Sequence, residues 1–195
     1  MLVAGFATGA FRVNCYLLAA ARDRPCVIVD PGQEAAGSVE DALREHGLTP
    51  ETVLATHGHP DHVACAGALA RAHGVPFRLH PADHALAGTP AEPLGPGVIE
   101  VAGLRITVDH VPGHTAGSVV FRLQTPEGGR LALTGDTLFA GSIGRGDRET
   151  LVESLRDKLL TLPDDTVVLP GHGGPTTIGR ERVSNPFLGG AAVPR

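Results

Sequence analysis

The chain has 195 residues, 42% of them hydrophobic, and a formal net charge of −5 at pH 7. This length and composition predict one globular domain with a sizeable core. The negative charge and the lack of a basic run disfavour a nucleic-acid binder, and no apolar stretch approaches the ~18 residues of a membrane span.

The N-terminal segment and the cysteines point to the cytosol. The segment lacks the basic start and the long apolar region of a signal peptide. Cys15, Cys26 and Cys65 are an odd number and lack the spacing of a disulfide framework. Free thiols in a reducing compartment are therefore expected.

The apolar residues predict strands and helices within a single domain, residues 1–195. The predicted strands are 12–20, 26–30, 52–56, 75–80, 98–101, 104–111, 118–123, 130–134 and 166–170. The predicted helices are 34–46, 68–74 and 149–160, and residues 85–97 are predicted as a surface loop. Strands outnumber helices, and the helices lie between runs of strands. This order favours an α/β fold of stacked sheets with helices outside.

The segment ATHGHPDHVACAG, residues 55–67, concentrates potential metal ligands directly after a predicted strand. Sites in α/β proteins form at such strand ends. Residues two apart in an extended segment point the same way, so His57 and His59 can bind one ion. Asp61 and His62 lie where the chain turns and can face a second ion.

Two ions need more ligands than this segment supplies, and candidates follow other predicted strands. His114, Asp136 and His172 each come just after an apolar run and next to glycine, which lets backbone approach closely. Asp30 ends a fourth apolar run. Its carboxylate can accept the outer N–H of a ligand imidazole and fix the tautomer of that ring.

Other histidines and one cysteine are expected to serve the fold. Surface or helix-end positions are predicted for His46, His73, His80 and His84. His110 lies four residues before His114 and is either a surface residue or a support for that ligand. Cys65, one helical turn after His62, is expected to be a small core residue.

The motifs VNCYLL, VDPG, THGHPDH, PGHTAGS, GDTLFAGSIGR, PGHGGPT and NPFL resemble those of the metallo-β-lactamase superfamily of hydrolases. The segments GDTLFAGSIGRGD and PGHGGPTTIGRERVSNPF resemble most closely the short glyoxalase-II-like (hydroxyacylglutathione hydrolase-like) subgroup. The resemblance covers nearly the whole chain. It implies an αββα sandwich of two mixed sheets flanked by helices, with the metals at one edge.

The resemblance also implies roles for the candidate ligands. A first metal would be bound by His57, His59 and His114, a second by Asp61, His62 and His172, and Asp136 would bridge them. The implied cofactor is two divalent ions, zinc first, with iron or manganese as alternatives.

The implied substrate is a small-molecule thioester such as S-lactoylglutathione. The sequence departs from full glyoxalase II at two points, because no C-terminal glutathione-binding helical domain is expected and AGSIGRGDRE replaces a segment with lysine and tyrosine. Arg145 is the nearest cation there and is the predicted substrate-binding residue.

The chemistry of a two-metal site favours thioesters over amides. Two ions can share a water and lower its pKa toward neutrality, and Asp61 would orient the resulting hydroxide. A thiolate leaves without a proton donor because thiol pKa values lie near ~8.5, whereas an amide nitrogen needs one. No catalytic serine or cysteine is then required.

Two alternatives stay open at this point. One is a mono-iron persulfide dioxygenase of the same superfamily, because GRGD is close to a GRTD-like segment of that group. The other is a metal-binding protein without turnover. The second is disfavoured, because structural zinc sites are closed by four ligands and often include cysteine.

Overall fold

The structure is a computed structural model that describes residues 1–188, and two six-stranded sheets form its centre. The first sheet contains, in spatial order, β1 (Leu2–Thr8), β2 (Val13–Ala19), β3 (Pro25–Val29), β4 (Thr49–Leu54), β5 (Phe77–Leu79) and β6 (Glu92–Pro93). Its first three strands pair antiparallel and the remainder parallel, so the sheet is mixed.

The second sheet is mixed as well. The strands after β6 are β7 (Gly97–Val101), β8 (Leu104–His110), β9 (Val119–Gln124), β10 (Arg130–Gly135), β11 (Leu138–Phe139), β12 (Ser142–Ile143), β13 (Val167–Pro170) and β14 (Thr176–Thr177). The second sheet has the spatial order β14-β13-β10-β9-β8-β7, and β11 and β12 form a separate hairpin. Only β10 and β13 pair in parallel among the strands described in this sheet.

Helices cover the outer faces of both sheets. They are α1 (Ala35–His46), α2 (Pro60–Val63), α3 (Ala66–His73), α4 (His84–Ala87), α5 (Arg148–Ser154) and α6 (Ile178–Ser184). A π-helical segment, Leu155–Leu159, continues α5. Among residues 1–188 no helix has the length and apolar character that crossing a membrane requires.

Three apolar layers hold these elements together. The layer between the sheets includes Leu18, Val29, Leu54, Ile106 and Phe121. The layer between the first sheet and its helices includes Leu17, Ile28, Val39, Leu43 and Leu69. The layer outside the second sheet includes Val120, Val168, Leu151, Leu155 and Ile178. The predicted αββα sandwich is confirmed. The part of β2 from Cys15 to Ala19 is buried on both faces, so it lacks an alternation of polar and apolar residues.

Most predicted elements are confirmed, with differences where the local signal is weak. The helix predicted over 34–46 is α1, and Gly47 ends it with a φ of 66°, a conformation that favours glycine. The first strand, β1, was not predicted, because LVAGFAT at the sheet edge is half-exposed and rich in small residues. Helix α6 was also missed, since IGRERVS is short and polar. The predicted free thiols are confirmed for all three cysteines.

The two sheets are joined directly at the edge where β4, β10 and β13 end. The backbone N–H of Val119 donates to the carbonyl of Thr56 over 2.8 Å, and that of Asn14 donates to Gly171 over 2.8 Å. A single antiparallel bridge also pairs Val13 with His172. The segments that follow these strands are therefore brought together.

Candidate metal centre

The seven predicted ligands lie in one cluster at this edge. Their ligand atoms form three overlapping groups, each with members within 4.8 Å of one another. The groups are His57, His59 and His114; His57, His62 and Asp136; and Asp61, His62 and His172. The fold therefore brings together side chains that are far apart in the sequence, and the most distant two, His57 and His172, are separated by 115 positions.

Three imidazole nitrogens form a nearly equilateral triangle. Nε2 of His57 lies 3.0 Å from Nδ1 of His59 and 3.2 Å from Nε2 of His114, and the last two atoms are 3.0 Å apart. Nitrogens bound tetrahedrally to one zinc ion at 2.0–2.1 Å are roughly 3.3 Å apart. The triangle thus has about the size of one face of a metal coordination sphere.

The second half of the cluster is anionic, and Asp136 stands between the halves. Its Oδ1 lies 3.2 Å from Nε2 of His62, and its Oδ2 lies 3.4 Å from Nε2 of His172 and 3.8 Å from Nε2 of His114. Oδ2 of Asp61 lies 3.7 Å from Nε2 of His172. Each half can therefore share the Asp136 carboxylate.

Two buried atoms of this cluster have no hydrogen-bond partner in the described chain, namely Nε2 of His62 and Oδ1 of Asp136. The two atoms lie 3.2 Å apart. A buried polar atom without a partner costs free energy. A cation between the two would satisfy both, so the residues present fit a metal ion.

The local sequence explains how neighbouring side chains reach different halves. His59 is extended, with φ −65° and ψ 141°, and Pro60 opens α2 at its first position. Proline suits that position because its missing N–H would have no helical partner there. The extended segment presents His57 and His59 to one half, and the first turn of α2 presents Asp61 and His62 to the other.

The outer ring nitrogens have acceptors that fix the tautomers. Nδ1 of His114 donates to the carbonyl of Arg145 over 2.7 Å, and Nδ1 of His172 donates to that of Phe11 over 3.0 Å. A carbonyl only accepts, so the proton is assigned to Nδ1 in both rings. In both rings the Nε2 lone pair then faces the cluster, which is the arrangement ligation requires.

A buried chain through Asp30 serves two more rings. Nδ1 of His57 lies 3.1 Å from the hydroxyl of Thr56, which donates to Oδ2 of Asp30 over 2.7 Å. The same Oδ2 accepts from Nδ1 of His62 at 3.1 Å, and Oδ1 accepts from the backbone N–H of Thr56. Asp30 thus contacts an outer imidazole N–H, the arrangement that the sequence predicts.

A profile of the metallo-beta-lactamase superfamily matches residues 8–172, a range that contains all seven side chains. The chain belongs to the metallo-β-lactamase superfamily. An uncharacterized protein of Mycobacterium tuberculosis is 43% identical, over 97% of this chain and 99% of its own. Hydroxyacylglutathione hydrolase GloC of Haemophilus influenzae is 36% identical, over 92% of this chain and 94% of its own.

Solved structures of this superfamily are similar over nearly the full chain. The BLEG-1 B3 metallo-beta-lactamase has a TM-score of 0.88 and 31% identity, with 96% of this chain and 100% of that one covered. ETHE1 from Myxococcus xanthus has a TM-score of 0.84 and 28% identity, with 97% of this chain and 85% of that one covered. TTHA1623, solved in a di-iron-bound form, has a TM-score of 0.80 and 36% identity, with 95% of this chain and 100% of that one covered.

The pKa shifts differ between the two halves of the candidate metal centre. Burial alone lowers the pKa of His62, but the carboxylates of Asp136 and Asp30 outweigh it and raise that pKa to about 10. Burial raises the pKa of Asp136, but the nearby imidazoles of His172 and His62 outweigh it and hold the pKa below its usual range. The Asp136 carboxylate also raises the pKa of His172. This half therefore binds positive charge, a proton or a cation.

Two rings of the three-histidine half, those of His57 and His114, favour the neutral form. Burial lowers the pKa of His57 well below its ordinary value, and the nearby His62 lowers it further. Burial likewise lowers the pKa of His114. Neutral imidazole is the form that binds a metal, so these rings are in the ligating state at neutral pH.

Three residues outside the seven candidate ligands, Arg145, His110 and Cys65, have contacts that bear on their predicted roles. The side chain of Arg145 is exposed, and its backbone carbonyl is what contacts the centre; its role in substrate binding stays a prediction. His110 stacks on His80 with ring centres 4.4 Å apart and donates to the carbonyl of Ala116. It supports a loop rather than a ligand ring. Cys65 is half-buried and packs against the core of the first sheet.

Two buried polar residues near the cluster, Thr56 and Asp83, were not predicted as functional because no sequence signal marks them. Thr56, in the segment TVLATH, reads as the last residue of a strand, and Asp83, in LHPADHAL, reads as a turn residue. Both are buried, with 2% and 0% exposure. A buried polar residue points to a specific hydrogen-bonding role, but burial itself is visible only in the structure.

Proposed function

We propose that this protein is a binuclear metal-dependent hydrolase of small thioesters, of the kind represented by S-lactoylglutathione. The arrangement of two three-ligand groups on either side of Asp136 carries the proposal. Asp136 lies 3.8 Å from His114 of one group and 3.4 Å from His172 of the other. A single ion would leave one of the two groups without a cation.

The first metal would be held by His57, His59 and His114, the second by Asp61, His62 and His172, and Asp136 would contact both. When bound, a pair of divalent cations lowers the pKa of a shared water toward neutrality and polarises the substrate carbonyl. Imidazole and carboxylate donors suit zinc, which we propose first, as well as iron and manganese.

The open side of the cluster is where substrate can enter. Asp61 and His172 are the more exposed ligands, at 24% and 28%, whereas His57 and His62 are buried. The Asp61 carboxylate faces this side and can accept a hydrogen bond from the attacking water, which would orient that water. The ring of Phe139 lies 6.1 Å from that of His172 and offers an apolar wall to an acyl group.

The choice of a thioester follows from the leaving group. The cluster offers carboxylates and imidazoles committed to ligation, and a thiolate can leave without a separate proton donor. The name of the Haemophilus influenzae relative, hydroxyacylglutathione hydrolase, supports the same class. The exposed Arg145, beside His114, is the proposed contact for a carboxylate of the thiol carrier. The three free cysteines support a cytosolic location.

The proposal is tested with protein reconstituted separately with zinc, iron and manganese. Thiol release is measured on S-lactoylglutathione and other acyl thioesters, ring opening is measured by absorbance on a chromogenic β-lactam, and metal per chain is quantified. We expect about two ions per chain, thioester hydrolysis, and loss of activity after chelation. One iron per chain with oxygen uptake on glutathione persulfide would establish the dioxygenase alternative, and turnover of the lactam alone would contradict a thioesterase.

Replacing His59 by Ala should lower metal content and activity together. The substitution removes one of three nitrogens of the first group, so we expect fewer than two ions per chain and about a thousandfold slower hydrolysis, a loss of about 4 kcal/mol of transition-state stabilisation. The matched control is His73→Ala, because His73 pairs with Glu40 between two helices. Full activity in His59→Ala would show that His59 is not a ligand.

A further inference from the structure

Asp83 is a buried carboxylate outside the ligand set. It ends a short 3-10 turn, Pro81–Asp83, between β5 and α4, and its exposure is 0%. Its Oδ2 accepts from the backbone N–H of Gly58 at 2.9 Å and from the hydroxyl of Thr115 at 2.6 Å. Its Oδ1 accepts from the backbone N–H of Gly117 at 2.8 Å. All three hydrogen bonds are accepted by the two oxygens of one buried carboxyl group.

The three donors belong to the two loops that carry the three-histidine group. Gly58 lies between His57 and His59, and Thr115 directly follows His114. One loop follows β4 of the first sheet and the other follows β8 of the second. Asp83 therefore ties together segments from both sheets, at the point where they present one metal group.

The fit around Asp83 is tight as well as polar. A Cβ added to Gly117 would lie 2.6 Å from Cγ of Asp83, and one added to Gly58 would lie 2.6 Å from the Asp83 carbonyl oxygen. The hydroxyl of Ser118 lies 2.7 Å from that of Thr115 and accepts from the Thr115 backbone N–H. The loop after His114 is thus fixed at several atoms.

We propose that Asp83 is a positioning residue that sets the metal affinity of the three-histidine group selectively. The inference rests on the proposed function in that it assumes a metal at this group. A metal site needs its ligands held within about 0.5 Å of the productive geometry. Asp83 supplies that constraint between His57, His59 and His114, and none of its three donors lies next to His62 or His172.

The test is Asp83→Asn, with zinc alone as the probe. An amide has one oxygen with two lone pairs and an NH2 that only donates, so it cannot accept all three hydrogen bonds. Zinc affinity is measured by chelator competition, and long-range ¹H–¹⁵N spectra of the imidazoles show which rings coordinate. We expect the three-histidine group to lose about 10–100-fold in affinity, while coordination by His62 and His172 occurs at an unchanged free zinc concentration.

Glu181→Gln is the matched control for a general loss of stability. Glu181 is also 0% exposed and also accepts three hydrogen bonds, from the N–H of Gly141, the hydroxyl of Thr176 and the amide of Asn185. Those donors are not next to a proposed ligand. We expect Glu181→Gln to lower Tm as Asp83→Asn does, with zinc affinity unchanged in both groups.

If Asp83→Asn does not fold, the role of Asp83 is tested with two variants of Thr115 that change only one of its three hydrogen bonds. Thr115→Val removes the 2.6 Å hydrogen bond to Asp83, and Thr115→Ser keeps the hydroxyl. We expect weaker zinc binding at the three-histidine group in the valine variant and wild-type binding in the serine variant.

Unchanged zinc affinity in the folded variants, or equal losses of zinc affinity in both ligand groups, would show that Asp83 does not position the three-histidine group selectively. The same loss of zinc affinity in Glu181→Gln would also contradict the proposal. Zinc binding is measured without substrate, so a wild-type protein that binds two ions but cleaves no thioester would contradict the proposed function alone.

Discussion

Asp136→Asn should slow thioester hydrolysis by at least about a thousandfold and reduce the metal content below two ions per chain. The Asp136 carboxylate lies within 4 Å of histidines from both halves of the described cluster. The amide cannot supply a negative charge to two cations, and its NH2 would face imidazole nitrogens. A loss of about 4 kcal/mol in transition-state stabilisation corresponds to about a thousandfold in rate.

The control for this substitution is Asp165→Asn. Asp165 is exposed and pairs with Arg130 at 2.9 Å, and exposed ion pairs contribute little to stability. The measurement is kcat and KM on the best thioester, together with metal per chain. Near-normal kcat with two ions bound in Asp136→Asn would show that the carboxylate does not bridge, and the two-metal proposal would fail.

Gly171→Ala should slow hydrolysis by about a hundredfold, although glycine has no functional group. A Cβ at this position would lie 2.3 Å from Oδ1 of Asp136 and 2.6 Å from Cε1 of His62. Both side chains are confined by the cluster, so one of them must move. A displacement of about 1 Å at a reacting centre costs about a hundredfold in rate, and overpacking costs about 1–3 kcal/mol of stability.

Gly174→Ala is the matched control, because it lies three residues away and a Cβ there meets nothing within 4 Å. Activity, metal content and Tm are compared for the two variants. We expect Gly174→Ala to behave as the wild type. Equal activity in Gly171→Ala would mean that Asp136 and His62 tolerate displacement, which a defined metal geometry does not allow.

The ligand positions were visible in the sequence because their signals are local. His114, Asp136 and His172 each follow an apolar run and stand next to glycine, and strand ends of an α/β fold are where sites form. The cluster of His57 to His62 needs no tertiary information to be noticed. Their roles as ligands stay predictions, but their convergence within one cluster is a property of the fold.

The supporting residues could not be predicted in the same way. Asp83 is bonded to partners 25, 32 and 34 residues away, and Glu181 to one 40 residues away. Asp83 lies outside the quoted motifs, and Glu181 lies within PGHGGPTTIGRERVSNPF but has no implied role there, so each looks like an ordinary polar residue of a turn or a helix. Strand β1 and helix α6 were missed for a related reason, since their residues are stabilised by neighbours rather than by a strong pattern of their own.

Hydrophobic periodicity, strand-end glycines and ligand-type side chains are properties of short segments, and they indicated stacked sheets with helices outside and the seven candidate ligands. The αββα sandwich was implied by the resemblance to the family. The opposite pKa shifts of His57 and His62 depend on distances of 3–4 Å between remote segments. So do the buried carboxylates that hold each half in place. Hydrogen bonds and electrostatic interactions act over such short ranges that only the folded arrangement of the two sheets could determine them.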